Sequence, residues 1–238
     1  MQQNYKIAGL NVQMETWGRT VDRAIPYTSL TPENPDIVVT SEFEMVKKLY
    51  PVLSDDSCEY LGSGYSFYKQ LVNFDGMMLH ASAVVVDGKA YLFTAPCGTG
   101  KSTHTSNWRC ILGDERVRML NDDKPALRLI DGVWYAYGTP WCGKTGQNLN
   151  IRAPLAGIAR ISQAAENSIR PMDPKAAIEL VFRQTKMPDD AIGRVKLMQL
   201  ADQLICQIPF WDLQCTKWPE SAIVSYEAMT GKSTNKCI

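Results

Sequence analysis

Residues 95–103 of the chain read Ala-Pro-Cys-Gly-Thr-Gly-Lys-Ser-Thr, and the segments on both sides have readable secondary structure. Before this stretch, residues 89–94 are rich in aromatic and β-branched side chains, which predicts a strand. After it, residues 102–109 contain no glycine or proline, which is typical of the start of a helix. A strand, a glycine loop and a helix in this order form the context that a phosphate-binding loop requires.

The residue types inside this stretch fit the binding of a nucleotide with Mg²⁺. The glycines allow consecutive backbone N–H groups to point at an anion, and the helix that follows adds the positive end of its dipole. Lys101 would reach the β- and γ-phosphates, while the Ser102 hydroxyl would bind Mg²⁺. The residues expected to contact ATP are Cys97, Gly98, Thr99, Gly100, Lys101, Ser102 and Thr103.

One position departs from the usual pattern, because Ala95 stands where a phosphate-binding loop has its first glycine. Alanine disfavours a positive φ, so we expect either a slightly different loop or a negative φ at this residue. The alternative interpretation is that the motif has arisen by chance in a surface turn.

Composition excludes several classes of protein. The 238 residues carry 25 basic and 25 acidic side chains, so no global charge attracts nucleic acid or a membrane surface. Seven cysteines without a Cys-x-x-Cys spacing favour free thiols in a reducing compartment over disulfides or zinc. The sequence has neither an apolar run of membrane-spanning length nor a signal peptide at its start. We therefore expect a cytoplasmic protein.

The predicted fold is an α/β domain with a mixed sheet. Asp87-Gly88 is a hairpin signal, so the strand that leads into the glycine loop should pair antiparallel with residues 77–86. We assign residues 76–238 to the nucleotide-binding domain. Residues 1–75 are predicted to form a small β-rich extension, with strands over 5–17 and 36–40, a helix capped by residues 41–44, and another over about 64–73.

Two adjacent acidic residues follow a short apolar strand at residues 117–120, about twenty positions beyond the glycine loop. A carboxylate that anchors Mg²⁺ belongs in such a place. Asp122 and Asp123 could divide the work, one holding the metal and the other accepting a proton from an attacking hydroxyl. The alternative is a polar turn that leads into the next strand, at residues 126–130.

Two further side chains are candidates for the site. Lys144 lies in a loop with three glycines, at residues 138–148, where its charge could oppose that of a phosphate; the alternative is one solvated lysine. His80 lies on the predicted strand over residues 77–86, and from the residues alone a half-buried core histidine is the simpler interpretation.

Together, residues 79–82 (Leu-His-Ala-Ser), the glycine loop, residues 121–125 (Asn-Asp-Asp-Lys-Pro) and residues 138–144 resemble the HPr kinase/phosphorylase and phosphoenolpyruvate-carboxykinase-like proteins. The resemblance covers residues 78–215 and is greatest to small stand-alone members. It implies a P-loop core, use of ATP and Mg²⁺, and transfer to a serine hydroxyl. It also implies that His80 lies at the active site, with Asp122 as the base and Asp123 as the Mg²⁺ partner.

These observations predict a kinase that transfers the γ-phosphoryl group of ATP to a hydroxyl, most plausibly a serine of a peptide or small protein. A kinase for a small hydroxylated metabolite, or a nucleotide-binding module without chemistry, remains open. Ala95, the Lys144 loop and the N-terminal third all differ from true HPr kinases, which makes HPr itself a poor candidate for the acceptor. We expect no nucleic-acid or membrane partner, and a homo-oligomer is compatible with this interpretation.

Overall fold

A computed structural model describes residues 3–30 and 34–234. The strands are β1 (Gln3–Ile7), β2 (Leu10–Met14), β3 (Ile37–Val39), β4 (Gly76–Met78), β5 (Ala81–Val86), β6 (Lys89–Thr94), β7 (Val117–Asn121), β8 (Ala126–Ile130), β9 (Val133–Tyr137), β10 (Arg152–Gln163), β11 (Ser168–Pro171) and β12 (Phe210–Cys215). The helices are α1 (Arg19–Ala24), α2 (Phe43–Leu49), α3 (Asp55–Leu71), α4 (Lys101–Leu112), α5 (Pro174–Gln184), α6 (Ala191–Gln207) and α7 (Glu220–Thr230).

The large sheet is mixed, as the sequence predicted. Its strand order is β4-β8-β9-β10-β6-β5-β7, and β12 pairs with β10 and with β11. Strand β6, which leads into the glycine loop, is antiparallel to β5 and parallel to β10. Asp87 and Gly88 turn the chain between β5 and β6 with φ of 51° and 77°, the left-handed pair that a two-residue hairpin needs.

Helices cover both faces of this sheet. On one face, alternate residues of the central strands pack with α5 and α6, whose buried side chains include Leu180, Leu197 and Leu204. On the other face, Trp108 of α4 and Tyr226 of α7 pack on the remaining strand residues. Within the described parts of the chain, none of the helices combines the length and apolar character that crossing a membrane requires.

The N-terminal segment packs on the edge of the large sheet. Strands β1, β2 and β3 form a separate small sheet, and their buried side chains share a core with α3, β8 and the residues beyond β9. Trp141 stacks on Phe67 of α3, with the ring centres 4.9 Å apart. This contact brings the loop after β9 against α3. The division of the chain at residue 75 remains a prediction.

Two long strands expected from the sequence are each divided in the structure. The strand expected over residues 5–17 is instead the pair β1 and β2, which ends at Met14, because Ala8 and Gly9 reverse the chain with φ of 53° and 78°. Residues 77–86 form β4 and β5, which pair with different strands. The break lies at His80, whose N–H donates to the carbonyl of Gln184 at 2.7 Å instead of to a sheet neighbour.

Several helix starts differ from those expected. The predicted capping box at residues 41–44 is wrong: Glu42 is left-handed, and no side chain caps α2. Helix α3 begins at Asp55 rather than near residue 64, because the Ser54 hydroxyl accepts the N–H of Ser57. The N-cap of α6 is Asp190, whose side chain accepts the N–H of Gly193 at 2.8 Å. The predicted strands β6 and β8 have the observed bounds, and α4 begins one residue before its predicted start.

Candidate functional site

The glycine loop joins β6 directly to α4. Gly98 and Gly100 have φ of 80° and 115°, and a Cβ at either position would meet open space. Ala95 is fully buried and is not among the described non-glycine residues with a positive φ, so the second of the two expectations for this residue is correct. The positive φ values of this loop therefore lie at its two glycines.

Lys101 begins α4 and is largely buried, with 8% of its surface exposed. Its Nζ donates to the backbone carbonyls of Ala95 at 3.0 Å and Pro96 at 3.4 Å, within the loop itself. Burial lowers the pKa of Lys101, and the negative charge of Asp123 opposes that shift. The amine is thus held against the loop by weak neutral acceptors, which an anionic ligand would readily replace.

A side-chain turn at the end of β7 positions the two aspartates. Asn121 is fully buried, and its Oδ1 accepts the N–H groups of Asp123 at 2.9 Å and Lys124 at 2.7 Å. Its Nδ2 donates to the carbonyl oxygen of Thr139 at 2.9 Å. Such a turn, built by an asparagine on its own backbone, fixes the direction in which the following carboxylates leave the strand.

Asp123 is surrounded by hydrogen-bond donors and positive charge. Its Oδ1 lies 3.1 Å from Nε2 of His80, and its Oδ2 pairs with Nζ of Lys124 and accepts the Tyr60 hydroxyl at 3.1 Å. Burial alone would raise the pKa of Asp123, but the hydrogen bond to His80 and the charge of Lys124 outweigh it and hold the pKa below its usual range. Asp123 is therefore a persistent anion.

Among the described residues, the side chain of Asp122 has two hydrogen-bond partners, and both are neutral hydroxyls. The Ser82 hydroxyl donates to its Oδ1 at 2.6 Å and the Thr145 hydroxyl donates to its Oδ2 at 2.7 Å. Ser82 also lies 3.0 Å from the hydroxyl of Thr105 on α4. Asp122 is 7% exposed and lines the same cleft as Asp123. The two neighbouring carboxylates thus have different surroundings.

Tyr60 of α3 connects the aspartates to the loop after β9. Its hydroxyl donates to Asp123 and accepts the N–H of Gly143 at 2.7 Å. Three cations surround its ring: Arg19 at 4.5 Å, Lys124 at 4.8 Å and Arg23 at 5.5 Å from the ring centre. Burial, together with the charge of Asp123, raises the pKa of Tyr60 well above its usual range, so the hydroxyl keeps its proton.

The loop after β9 begins at a glycine that cannot be replaced without strain. A Cβ on Gly138 would lie 1.9 Å from the carbonyl oxygen of Leu149, and one on Gly143 would lie 2.9 Å from Cβ of Asp123. The close approach at Gly143 brings the next residue, Lys144, to the cleft. Lys144 is exposed, and it makes no hydrogen bond or ion pair with the described residues.

His80 lies at the break between β4 and β5, at the cleft. Besides Asp123, its ring contacts Oε1 of Gln184 through Nδ1 at 3.1 Å. The other histidine, His104, is buried against Ser225, and burial lowers its pKa to about 3. Of the two, His80 has a carboxylate partner, and its ring can be reached from the cleft.

Two clefts meet at the glycine loop. The first, of about 580 Å³ and here named the aspartate cleft, contains every candidate site residue from the sequence except Thr99: His80, Cys97, Gly98, Gly100, Lys101, Ser102, Thr103, Asp122, Asp123 and Lys144. The second, of about 500 Å³ and here named the Trp218 cleft, lies beyond Thr99 and shares Gly98, Gly100 and Thr103 with the first. Its lining also includes Trp218 and Gln163, whose Nε2 donates to the carbonyl of Thr99 at 3.1 Å.

Sequence reasoning missed three basic or aromatic residues of the aspartate cleft: Arg19, Tyr60 and Lys124. Arg19 is held by Asp56, with its Nε 3.0 Å from Oδ2 of that residue. The signal that could have found Tyr60 was the start of α3, where Ser54 precedes two aspartates in the way typical of a helix N-terminus. With Lys101 and Lys144, four basic residues line the cleft against two aspartates, which favours a polyanionic ligand.

The protein groups suit a cation that also takes ligands from phosphate. No cluster of three or more His, Cys, Asp or Glu is placed to hold a metal within the described ranges 3–30 and 34–234. Mg²⁺ usually binds through one or two carboxylates, with water and substrate phosphates completing its shell. Asp123 supplies one such carboxylate. The hydroxyl of Ser102, in the same cleft, makes no hydrogen bond to a described residue and could be a second protein ligand.

Replacing Tyr60 by phenylalanine should loosen the loop at Gly143. The substitution keeps the ring but removes the acceptor of the Gly143 N–H, a loss of about 1 kcal/mol or more, so that exchange of the amide hydrogens near residue 143 should be about tenfold faster. Hydrogen exchange followed by mass spectrometry measures this.

Tyr68→Phe is the matched control for this prediction. It removes another buried hydroxyl of α3, which bonds to Lys124 O and to Thr139 rather than to Gly143. Equal exchange rates near residue 143 in wild type and Tyr60→Phe would show that the tyrosine hydroxyl does not hold this loop.

The sequence matches no protein-family model and no curated protein. One of the solved structures similar to this chain is the Hpr(Ser) kinase/phosphatase from Coxiella burnetii, with 12% sequence identity and a TM-score of 0.36 over 65% of this chain and 99% of that chain. A likeness at this level carries no statement about activity, so the chemistry has to come from the side chains of the cleft.

Proposed function

We propose that the chain is an ATP- and Mg²⁺-dependent kinase that transfers the γ-phosphoryl group to a hydroxyl, most plausibly that of a serine in a peptide or small protein. One observation carries the proposal: a glycine loop with its lysine and two differently surrounded aspartates line one cleft. A loop for phosphate, an anion for the metal and a carboxylate for the acceptor are the parts that phosphoryl transfer needs.

The glycine loop supplies the phosphate site. A Cβ on Gly98 or Gly100 would meet no neighbouring atom, and no described side chain caps the start of α4, so the backbone N–H groups of its first turn are available to an anion. The Lys101 amine would exchange the carbonyls of Ala95 and Pro96 for phosphate oxygens. Because those carbonyls are neutral and the phosphates are charged, the exchange favours the bound state.

Asp123 and Ser102 would hold Mg²⁺, which when bound neutralises charge on the phosphates. The low pKa of Asp123 keeps this carboxylate ionised at any pH at which the protein would work. Lys124, which pairs with the same carboxylate, would then turn to the phosphates. Such a carboxylate suits a metal better than a proton, which is why we assign the base to its neighbour.

Asp122 would accept the proton of the attacking hydroxyl. The Thr145 hydroxyl donates a hydrogen bond to Oδ2 of Asp122 at 2.7 Å. The hydroxyl of an acceptor serine would take its place and donate the same hydrogen bond to Asp122. In the transfer, the acceptor oxygen forms a bond to the γ-phosphorus and the bond from phosphorus to the leaving ADP oxygen breaks. The hydroxyl proton passes to Asp122, and the charge of Lys144 stabilises the group in transit.

The remaining parts of the ligands fit the two clefts. With the phosphates on the glycine loop, the nucleoside would enter the Trp218 cleft, where the exposed ring of Trp218 offers a stacking surface for a base. The acceptor would enter the aspartate cleft from the side of Leu53 and Leu61. Two apolar residues on that wall favour a peptide over a small polar metabolite.

Binding of MgATP should protect one cysteine from alkylation. Cys97 lies in the glycine loop and is exposed, so bound phosphates should slow its reaction with iodoacetamide about tenfold or more when nucleotide is saturating. Peptide mapping at several reaction times measures this. Cys110, on α4, and Cys206, on α6, are also exposed and serve as internal controls whose rates should not change.

An unchanged rate at Cys97 under saturating MgATP would contradict a nucleotide site at this loop. Suppose that MgATP protects Cys97 but no phosphate is transferred to serine peptides, proteins or hydroxylated metabolites. The protein would then be a nucleotide-binding module, and the kinase proposal would be wrong. Comparing an intact peptide with free serine as acceptor separates a peptide kinase from a metabolite kinase.

A further inference from the structure

We infer that Thr145 is a site of self-phosphorylation, so that the loop after β9 serves as an internal acceptor when no other hydroxyl occupies the cleft. The inference rests on the proposed function and adds a modification site to it. Thr145 is exposed, lines the aspartate cleft and donates its hydroxyl hydrogen to the proposed base, Asp122.

The hydrogen bonds of the Thr145 hydroxyl leave its oxygen able to attack. A hydroxyl has one hydrogen to donate and two lone pairs. The hydrogen goes to Asp122 at 2.7 Å, and one lone pair accepts the N–H of Gln147 at 3.3 Å. The second lone pair has no partner among the described residues, and the hydroxyl is already in contact with the group that would take its proton.

Other hydroxyls at the cleft lack this combination. Ser82 also donates to Asp122, but it is fully buried and no phosphoryl group could reach it. Ser57 bonds to Ser54 and Arg19, away from both aspartates. Ser102 belongs to the proposed metal site. Among the hydroxyls of the described chain, Thr145 is thus the one that is both exposed and hydrogen-bonded to a candidate base.

A glycine lies on each side of the segment that carries Thr145. Gly143 and Gly146 flank the Lys144–Thr145 pair, and both have a φ of 70°. Glycine adopts this left-handed conformation without the steric cost that other residues pay. Lys144, next to the acceptor, would oppose the charge that Thr145 gains.

The step is balanced with ATP as its co-reactant. Oγ1 of Thr145 forms a bond to the γ-phosphorus, the bond between that phosphorus and the bridging oxygen breaks, and ADP leaves with the electron pair. The hydroxyl proton passes to Oδ2 of Asp122.

The test uses the full chain, treated first with phosphatase and then incubated with Mg²⁺ and radiolabelled ATP without another acceptor. We expect labelling to approach about one phosphate per chain, with the phosphate located on Thr145 by peptide mass spectrometry. Thr145→Val should lose at least about nine tenths of the label, while Thr145→Ser, which keeps a hydroxyl, should be labelled at the same position. Ser57→Ala, the matched cleft control, should label like wild type.

Transfer to an added serine peptide distinguishes this inference from the proposed function. If Thr145→Val no longer labels itself but still phosphorylates the peptide, the inference is supported and the variant is folded. If wild type phosphorylates the peptide but Thr145 stays unmodified, the self-phosphorylation inference is wrong and the proposed kinase activity is retained. The same holds if Thr145→Val is labelled as strongly as wild type. If MgATP does not protect Cys97, both the proposed kinase function and the self-phosphorylation of Thr145 are overturned.

Discussion

Asp122→Asn should reduce kcat by a factor of about 10² to 10⁴, because a positioned base contributes mainly to the transition state. The dissociation constant for MgATP should change less than about threefold, or about 0.7 kcal/mol. An asparagine at position 122 still accepts from one of the two hydroxyls, Ser82 or Thr145, that Asp122 binds. The turn is made by the side chain of Asn121 and should persist. Single-turnover transfer to a serine peptide, with calorimetric titration of MgATP, separates the two effects.

Asp123→Asn should mainly affect the binding of MgATP, whereas Asp122→Asn mainly affects kcat. Removing the charge that pairs with His80 and Lys124 should weaken binding of MgATP about tenfold or more, while binding of ATP in the presence of a chelator changes little. Asp114→Asn, at an exposed acid that pairs with Arg109, is the control and should match wild type in both assays. Weakened MgATP binding in Asp122→Asn alone would exchange the two roles.

Gly138→Ala should destabilise the protein by about 2 kcal/mol or more, and a loss of about 2 kcal/mol corresponds to a fall in Tm of roughly 4–8 °C. The new Cβ would lie 1.9 Å from the carbonyl oxygen of Leu149 and 2.8 Å from that of Leu120. Both atoms belong to the backbone and cannot turn away as a side chain can. Thermal unfolding followed by circular dichroism measures the change.

Gly157→Ala is the matched control for this substitution. It adds the same methyl group to another buried glycine with an ordinary φ, but its nearest neighbour, at 3.1 Å, is the flexible end of Met229. We expect a cost below about 1 kcal/mol there. Equal losses at the two positions would mean that the close approach of Leu149 to Gly138 does not restrain the loop after β9.

Local signals predicted the part of the site that is made by consecutive residues. The glycine loop, its strand and its helix follow from residue types at fixed spacing, as does the hairpin at Asp87-Gly88, which has two positive φ values in the structure. The pair of aspartates followed from its position at the end of a strand. In these cases the backbone conformation depends on the residues that adopt it.

What the sequence could not predict depends on contacts between distant segments. In the sequence, Tyr60 looks like an ordinary core residue of α3. Its hydroxyl reaches the cleft because α3 packs against the loop that contains Gly143. The break at His80 depends in the same way on Gln184, whose backbone carbonyl takes the N–H that a continuous strand would have paired. No periodicity within either segment carries this information.

The link between α3 and the loop after β9 also sets a time scale for the growing chain on the ribosome. Tyr60 and Gly143 are separated by 83 positions. At about 5–20 residues per second, synthesis of that interval takes roughly 4–17 s. During this time Phe67 and its neighbours on α3 lack Trp141, the aromatic partner that later covers them. The first third of the nascent chain should therefore be a substrate for chaperones until residues near 143 have emerged.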